Sequence, residues 1–264
     1  MHFLCVYYVT LKTNLVVFSL LLFSGSAERL SERAAWVAIT GVYASPQHGR
    51  QAMVQAEIQQ NLDKIRAAYL SAEDLKVAAS IIYNAYHDDP IFLQIFQSEK
   101  EGYESRLRSA IREELTAFWE AEQPIIGLFD EGRLLSVACL TGPDNAAGAG
   151  RYWHWRLKML LTTGYYGTRQ MLEKEEKIRS AMPAEKYHLL SFIAVHPDYQ
   201  SHGLGHLLMR AIDSVLLEHR DSEGVGVFVT VPKYETFFSD GFYQKVAQVE
   251  IANKTGQVMF RPRP

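Results

Sequence analysis

Val195-His196-Pro197-Asp198-Tyr199-Gln200-Ser201-His202-Gly203-Leu204-Gly205-His206-Leu207-Leu208 is the stretch on which the fold turns. Upstream of it, Leu189 to Val195 is almost continuously apolar and reads as a central strand buried on both faces. Pro197 ends that strand, because proline offers no ladder donor and biases the residue before it away from helix. Downstream, Leu204, Leu207, Leu208, Ala211, Ile212, Val215 and Leu216 recur at helical spacing and predict an amphipathic helix. Gly203 and Gly205 let the connecting backbone turn sharply and let a ligand approach with no Cβ in the way. A strand that feeds a helix through such a loop aims main-chain N–H groups and the positive end of a helix dipole at one point. That point attracts phosphate.

Two familiar phosphate loops do not fit. A Walker loop needs Lys and then Ser or Thr after its last glycine, where this chain has His206-Leu207. A dinucleotide fingerprint needs a small third residue where Leu208 stands. What remains is Gln-x-x-Gly-x-Gly, either a phosphate loop of another kind or an ordinary strand–loop–helix connection.

Working outward, Val54 to Ala68 carries a helical pattern leading into a short strand around Ala67 to Leu70. Ser71, with Asp74 three residues on, can open the next helix, whose apolar side is Leu75, Ala78, Ala79, Ile82 and Tyr86. Pro90 ends it near His87-Asp88-Asp89. A second helix is predicted over 103–122, and a hairpin over 125–140 around Asp130-Glu131-Gly132-Arg133. Residues 151–181 read as an aromatic-rich helical insertion with Tyr152, Trp153, Trp155, Tyr165 and Tyr166. Gly224 to Val231 is a second apolar strand, Tyr234 to Ser239 a short helix closed by Asp240-Gly241-Phe242, and strands around 246–251 and 258–260 complete the pattern. Strands and helices mix in an α/β or α+β order around a central sheet.

Composition suits one globular domain with an added segment: 264 residues, 48% hydrophobic and 22% charged. A net charge of −3 without a lysine-arginine run argues against a nucleic-acid surface. Cys5 and Cys139 provide neither a disulfide framework nor metal-ligand spacing, so no metal is expected. The organisation expected is an extension over 1–53 and a domain over 54–264. The apolar run Leu15 to Phe23, followed by Ser24-Gly25-Ser26-Ala27, reads as a signal-like segment, as a membrane anchor spanning 3–23, or as an over-extended start ahead of Met53.

Gln200 to Gly205, preceded by Val195-His196-Pro197 and followed by a Leu-Leu helix, resembles the acetyl-CoA loop of the GNAT superfamily of N-acyltransferases. Asp240-Gly241-Phe242 is similar to the Gly-Phe turn after that family's last helix. The resemblance covers roughly 66 to 250 and is specific for superfamily, not for substrate. It implies a mixed, mostly antiparallel sheet, flanked by helices and splayed between its two middle strands. It also implies an acetyl-CoA co-substrate, with the pyrophosphate on Gln200, Ser201, His202, Gly203, Leu204, Gly205 and His206. The pantetheine arm would lie beside Phe192, Ile193, Ala194 and Val195, with a backbone N–H near Val195 facing the developing oxyanion. The implied activity is N-acetylation of a small primary amine in a ternary complex. A non-catalytic acetyl-CoA-binding module and a protein lysine acetyltransferase are the alternatives.

The catalytic side chains are less plain. Many family members carry a tyrosine acid where this chain has Phe237; Tyr234 and Tyr243 are the neighbours available to replace it. The strand has no carboxylate, which leaves His188 and Ser191 as polar candidates near the base position, although His188 also reads as a solvent residue at the strand's start. Asp88-Asp89-Pro90-Ile91-Phe92 is similar to an Asp-Pro-aromatic turn in small-molecule members such as puromycin acetyltransferase. That likeness makes Asp88, Asp89 and Phe92 candidates for holding a cationic acceptor, or else Asp88 and Asp89 are a helix-end residue and a solvated charge. The partners expected are acetyl-CoA and an amine, with no nucleic acid, membrane contact only through a retained anchor, and a homodimer compatible. The expected location is cytoplasmic, where acetyl-CoA is found.

Overall fold

The computed structural model describes residues 64–143 and 153–263. The extension over 1–53, the pattern over 54–63 and Tyr152 lie outside them. Strand β1 (Arg66–Tyr69) leads to Asp74, whose carboxylate accepts from the N–H and hydroxyl of Ser71 at 2.8 and 2.7 Å. That contact opens a single 3-10 turn that runs into α1 (Leu75–Tyr86). Pro90 does more than stop α1. It stands at the first position of a short helix, α2 (Pro90–Ile95), which the periodicity does not reveal. Asp89 caps α2 by accepting from the N–H groups of Ile91 and Phe92 at 2.9 and 3.1 Å.

Helix α3 (Tyr103–Glu120) precedes the hairpin β2 (Ile125–Asp130) and β3 (Arg133–Thr141). Glu131 and Gly132 at its tip both have positive φ, as a two-residue type I′ loop requires. Helix α4 (Trp153–Ala181) occupies the predicted insertion and is broken at Gly164 (φ 75°, ψ 176°). Then come β4 (His188–Val195), α5 (Leu204–Glu218), β5 (Gly224–Val229), α6 (Lys233–Asp240), β6 (Gln244–Ile251) and β7 (Lys254–Pro262). None of the described helices is long and apolar enough to cross a membrane.

The fold is mixed α/β: one seven-stranded sheet in the order β1-β2-β3-β4-β5-β7-β6, antiparallel except between β4 and β5. Helices cover both faces. One apolar layer gathers Ile82, Ile91, Leu107, Val137, Phe192 and Ala194; the other gathers Leu140, Leu190, Leu208, Ile212, Val227 and Phe238. Phe192 pairs with Cys139 and Leu190 with Leu140, so Ser191 is an extra, unpaired residue. This bulge lets Leu190 enter one layer and Phe192 the other.

β4 and β5 pair only from His188–Leu190 to Val225–Val227 and then part. Past that point β4 is not covered on both sides, as a buried central strand would be. Ser191, Ile193 and Val195 remain half-buried, because the space beside them is a cavity.

Candidate active site

The loop after β4 is held by its own polar groups. His196 Nδ1 accepts from the Asp198 N–H at 3.3 Å, Gln200 Nε2 donates to the Val195 carbonyl at 3.2 Å, and His202 Nδ1 lies 2.7 Å from the Gln200 carbonyl oxygen. Ser201 and Gly203 have positive φ (63° and 81°) and His202 between them does not. Backbone that alternates in hand this way turns successive N–H groups to one side. The first helical bond of α5 runs from the Leu207 N–H to the Gly203 carbonyl at 3.2 Å, so the N–H groups of Leu204, Gly205 and His206 have no main-chain partner among the described residues. With the dipole of a 15-residue helix behind them, they offer donors of the kind that attract an anion.

The two glycines do different work. Gly203 supplies the left-handed turn. Gly205 supplies close packing, since a Cβ there would lie 3.0 Å from the ring of Phe237. Gly205 thus meets α6 on one side while lining the cavity on the other. His206 stacks edge-on against the same ring, with centroids 5.1 Å apart. Gln200, Ser201, Gly203, Leu204, Gly205 and His206 line the cavity, whereas His202 is exposed and does not.

The cavity, about 1220 Å³, runs from this loop into the gap between β4 and β5. It exceeds the ~300–1,000 Å³ of an ordinary single-ligand pocket. Phe192, Ile193, Ala194 and Val195 line it, as does Ser191 at the bulge. In an antiparallel ladder alternate residues turn both main-chain groups away from the partner strand. Here those residues are Ile193 and Val195. Tyr86, anticipated only as part of an apolar stripe, meets the first of them. Its hydroxyl lies 3.2 Å from the Ile193 N–H nitrogen and 3.4 Å from the Ile193 carbonyl oxygen. Burial, offset in part by the Ile193 contact, holds this phenol's pKa above the ordinary tyrosine value.

The other candidates separate cleanly. His188 is neither in solvent nor in the cavity. It is fully buried on the paired side of the bulge, its Nδ1 2.8 Å from Ser222 Oγ and its ring 5.0 Å from that of His219. Burial, then the charges of His219 and Arg263, lowers its pKa from 6.5 to about 4. A group so placed cannot reach a substrate. Tyr234 lines the cavity at 46% exposure, with the Lys233 ammonium 4.8 Å from its ring centroid. Tyr243 is buried in the layer under α5 and does not line the cavity.

Asp88, Asp89 and Phe92 all line the cavity, but on different terms. The Asp88 carboxylate is exposed and lies 2.8 Å from His87 Nδ1. Asp89 is buried, caps α2 and accepts a short hydrogen bond from the Thr230 hydroxyl. Phe92 packs on Tyr86, Phe96 and Phe192. Sequence reasoning missed the carboxylates Glu113, Glu120 and Glu122 from the α3 side, and Lys158, Lys174 and Arg179 from α4. Glu113 pairs with Lys158 at 3.5 Å. Tyr165 and Tyr166 of the aromatic-rich insertion are exposed and outside the lining; the side chains of Trp153 and Trp155 lie outside the described residues.

The family model described as Acetyltransferase (GNAT) family matches residues 89–247. Among solved structures, a histone acetyltransferase HPA2 and related acetyltransferase from Corynebacterium glutamicum ATCC 13032 is 12% identical with a TM-score of 0.57, the match covering 76% of this chain and 97% of that one. The C-terminal condensation domain of Ebony, in complex with beta-alanyl-dopamine, is 13% identical with a TM-score of 0.55, covering 75% and 99%. A putative arylalkylamine N-acetyltransferase 7 from the yellow fever mosquito is 12% identical with a TM-score of 0.52, covering 76% and 88%. At these identities the structures establish the fold alone. A search of curated proteins found no sequence relative.

Proposed function

The chain belongs to the GNAT family of acetyltransferases, and we propose that it moves an acetyl group from acetyl-CoA to a primary amine of a small molecule, by direct attack in a ternary complex. The observation that carries this reading is the open gap beyond Leu190, continuous with a loop of unpartnered N–H groups. Acetyl-CoA, the co-substrate of this family, supplies an activated carbonyl and a thiolate leaving group. The residues present fit it. The N–H groups of Leu204, Gly205 and His206 would hold its phosphates, each helix-end contact weak by itself and the set strong together. The main-chain groups of Val195 and Ile193 would take the arm as an added strand. An N–H directed into the gap is placed to stabilise charge on the carbonyl oxygen, and Tyr234 is the cavity tyrosine that would protonate the leaving sulfur.

Support for a small acceptor comes from enclosure: α1, α2, α3 and α4 all contribute to the lining. The exposed Asp88 carboxylate and the α3 carboxylates favour a cationic amine, and the Asp-Pro-aromatic segment supports a likeness to the small-molecule branch of the family. The cytoplasm, where acetyl-CoA is available, is the proposed location. Thiol release from acetyl-CoA, assayed over polyamines, amino acids and aminoglycoside-like amines, tests the proposal. Turnover with at least one such amine is expected. Binding of coenzyme A without any turnover would instead favour a non-catalytic module, the reading to which Phe237 at the usual tyrosine position points. Turnover confined to lysine peptides would mark a protein acetyltransferase.

A further inference from the structure

We propose that Tyr86 is a catalytic residue, its hydroxyl forming with the Ile193 N–H a two-donor oxyanion hole for the acyl carbonyl. The inference rests on the acetyl-transfer reading above and adds a side chain to it.

Geometry carries it. Tyr86 stands at the end of α1 and reaches β4 just past the bulge, where β5 has departed. Its oxygen accepts from the Ile193 N–H at 3.2 Å, while among the described residues its own proton has only the Ile193 carbonyl oxygen, at 3.4 Å. That distance is well beyond the ~2.7–2.8 Å of a good O–H···O bond. The hydroxyl proton is therefore barely used. Tyr69 and Tyr103 spend theirs fully, donating to Glu218 at 2.5 Å and to the His87 carbonyl at 2.6 Å. The ring of Tyr86 is clamped as well, edge-on to Phe192 (5.4 Å, 89°) and tilted on Phe92 (5.6 Å). A ligand oxygen that replaces the Tyr86 oxygen as acceptor for the Ile193 N–H lies within reach of the same hydroxyl. Burial keeps the phenol neutral, so it remains a donor across the working pH range.

In the reaction, the acceptor nitrogen forms a bond to the carbonyl carbon, and the C=O π pair moves onto oxygen, where both donors meet it. The pair then returns and the C–S bond breaks with its electrons on sulfur. Sulfur takes a proton from Tyr234 or water, and the nitrogen gives one to water, so Tyr86 transfers none.

Three measurements on the full chain test the role. Infrared spectra of bound acetonyl-coenzyme A, an unreactive ketone analogue, should show a lowered carbonyl stretch in the parent protein that returns towards the free value in Tyr86→Phe. Amine-dependent thiol release should fall by about 10²–10³ in kcat, with the KM for acetyl-CoA little changed. The pH–rate profile should keep its shape, because no proton is lost from residue 86. Coenzyme A titration reports that the variant is folded. An unshifted carbonyl stretch or an unchanged kcat in a variant that binds coenzyme A overturns the role of Tyr86 alone. A parent protein that binds no coenzyme A overturns the acetyl-transfer reading instead.

Discussion

β4 and β5 are two structures laid end to end. At their root, His188–Leu190 and Val225–Val227 form a short parallel ladder. Everything polar there is turned inward: His188 meets Ser222, whose hydroxyl donates in turn to the Gly224 carbonyl at 3.1 Å. The packing is tight enough that a Cβ on Gly226 would meet Met182 at 2.4 Å. Beyond the bulge at Ser191 the same strand faces a cavity, and its main-chain groups are met by the side chains of Tyr86 and Gln200 rather than by β5. The difference teaches where each property resides. Strand pairing at the root stabilises the fold, and the absence of pairing above it leaves main-chain donors and acceptors to side-chain partners that a ligand can displace.

The largest effect expected at the open end follows from Gly203→Glu. Forcing a side chain into φ 81° costs roughly 1–2 kcal/mol, and a carboxylate at the helix start would forfeit up to ~2 kcal/mol of dipole stabilisation for the phosphates. The strain is present with or without ligand, so only the lost dipole stabilisation acts on binding, and coenzyme A affinity should fall by about one to two powers of ten in a calorimetric titration. Gly203→Ala, which adds only the strain, should lose far less. Equal affinity in all three proteins would show that the loop does not hold the ligand.

At the root the expected effect is on stability and depends on pH. The folded protein keeps His188 neutral down to about pH 4, whereas the unfolded chain takes up a proton near 6.5. Between those values the unfolded state binds more protons, so stability is complete above pH 6.5 and declines as pH falls towards 4. The contribution is on the order of 2–3 kcal/mol. Urea unfolding from pH 7 to 4.5 should show this slope in the parent and a shallower one in His188→Gln. Coenzyme A affinity at pH 7 should be the same in both. A large loss of affinity in a folded His188→Gln protein would erase the separation between root and gap.

The contrast also explains what was legible in the chain. The strand, the loop and the α5 stripe each depend on residues close in sequence, and all three lie where periodicity and Pro197 place them. The short helix α2 carried a readable signal, Asp89 before Pro90, which is an N-cap followed by the favoured first position. The bulge at Ser191 was not readable, because it is a relation between registers on β3 and β4. Nor was His188, whose partners Ser222 and His219 arrive from 34 and 31 residues away. Tyr86 was visible as an apolar-face residue. What distinguishes it is a hydroxyl meeting a backbone 107 residues distant, which no local pattern encodes.

The turn between α1 and α2 spans the two sides of the gap, and this makes adjacent carboxylates the finest test of the comparison. Tyr86 touches β4 through Ile193, and three residues later Asp89 accepts from Thr230, just past the end of β5. Asp89 therefore ties the far strand to the same turn that meets the near one, and it caps α2 as well. Asp89→Ala should cost about 1–2 kcal/mol from the lost cap, more if Thr230 finds no new partner, and should lower the melting temperature and loosen the gap enough to weaken coenzyme A binding severalfold. Asp88→Ala, at an exposed side chain paired with His87, should change stability by less than about 0.5 kcal/mol. Its effect should fall on the acceptor's KM alone, rising for a cationic amine and not for a neutral one. If the two substitutions instead behave alike, both raising KM with the melting temperature unmoved, then Asp89 serves the acceptor directly and the gap is held open by β4 and β5 themselves.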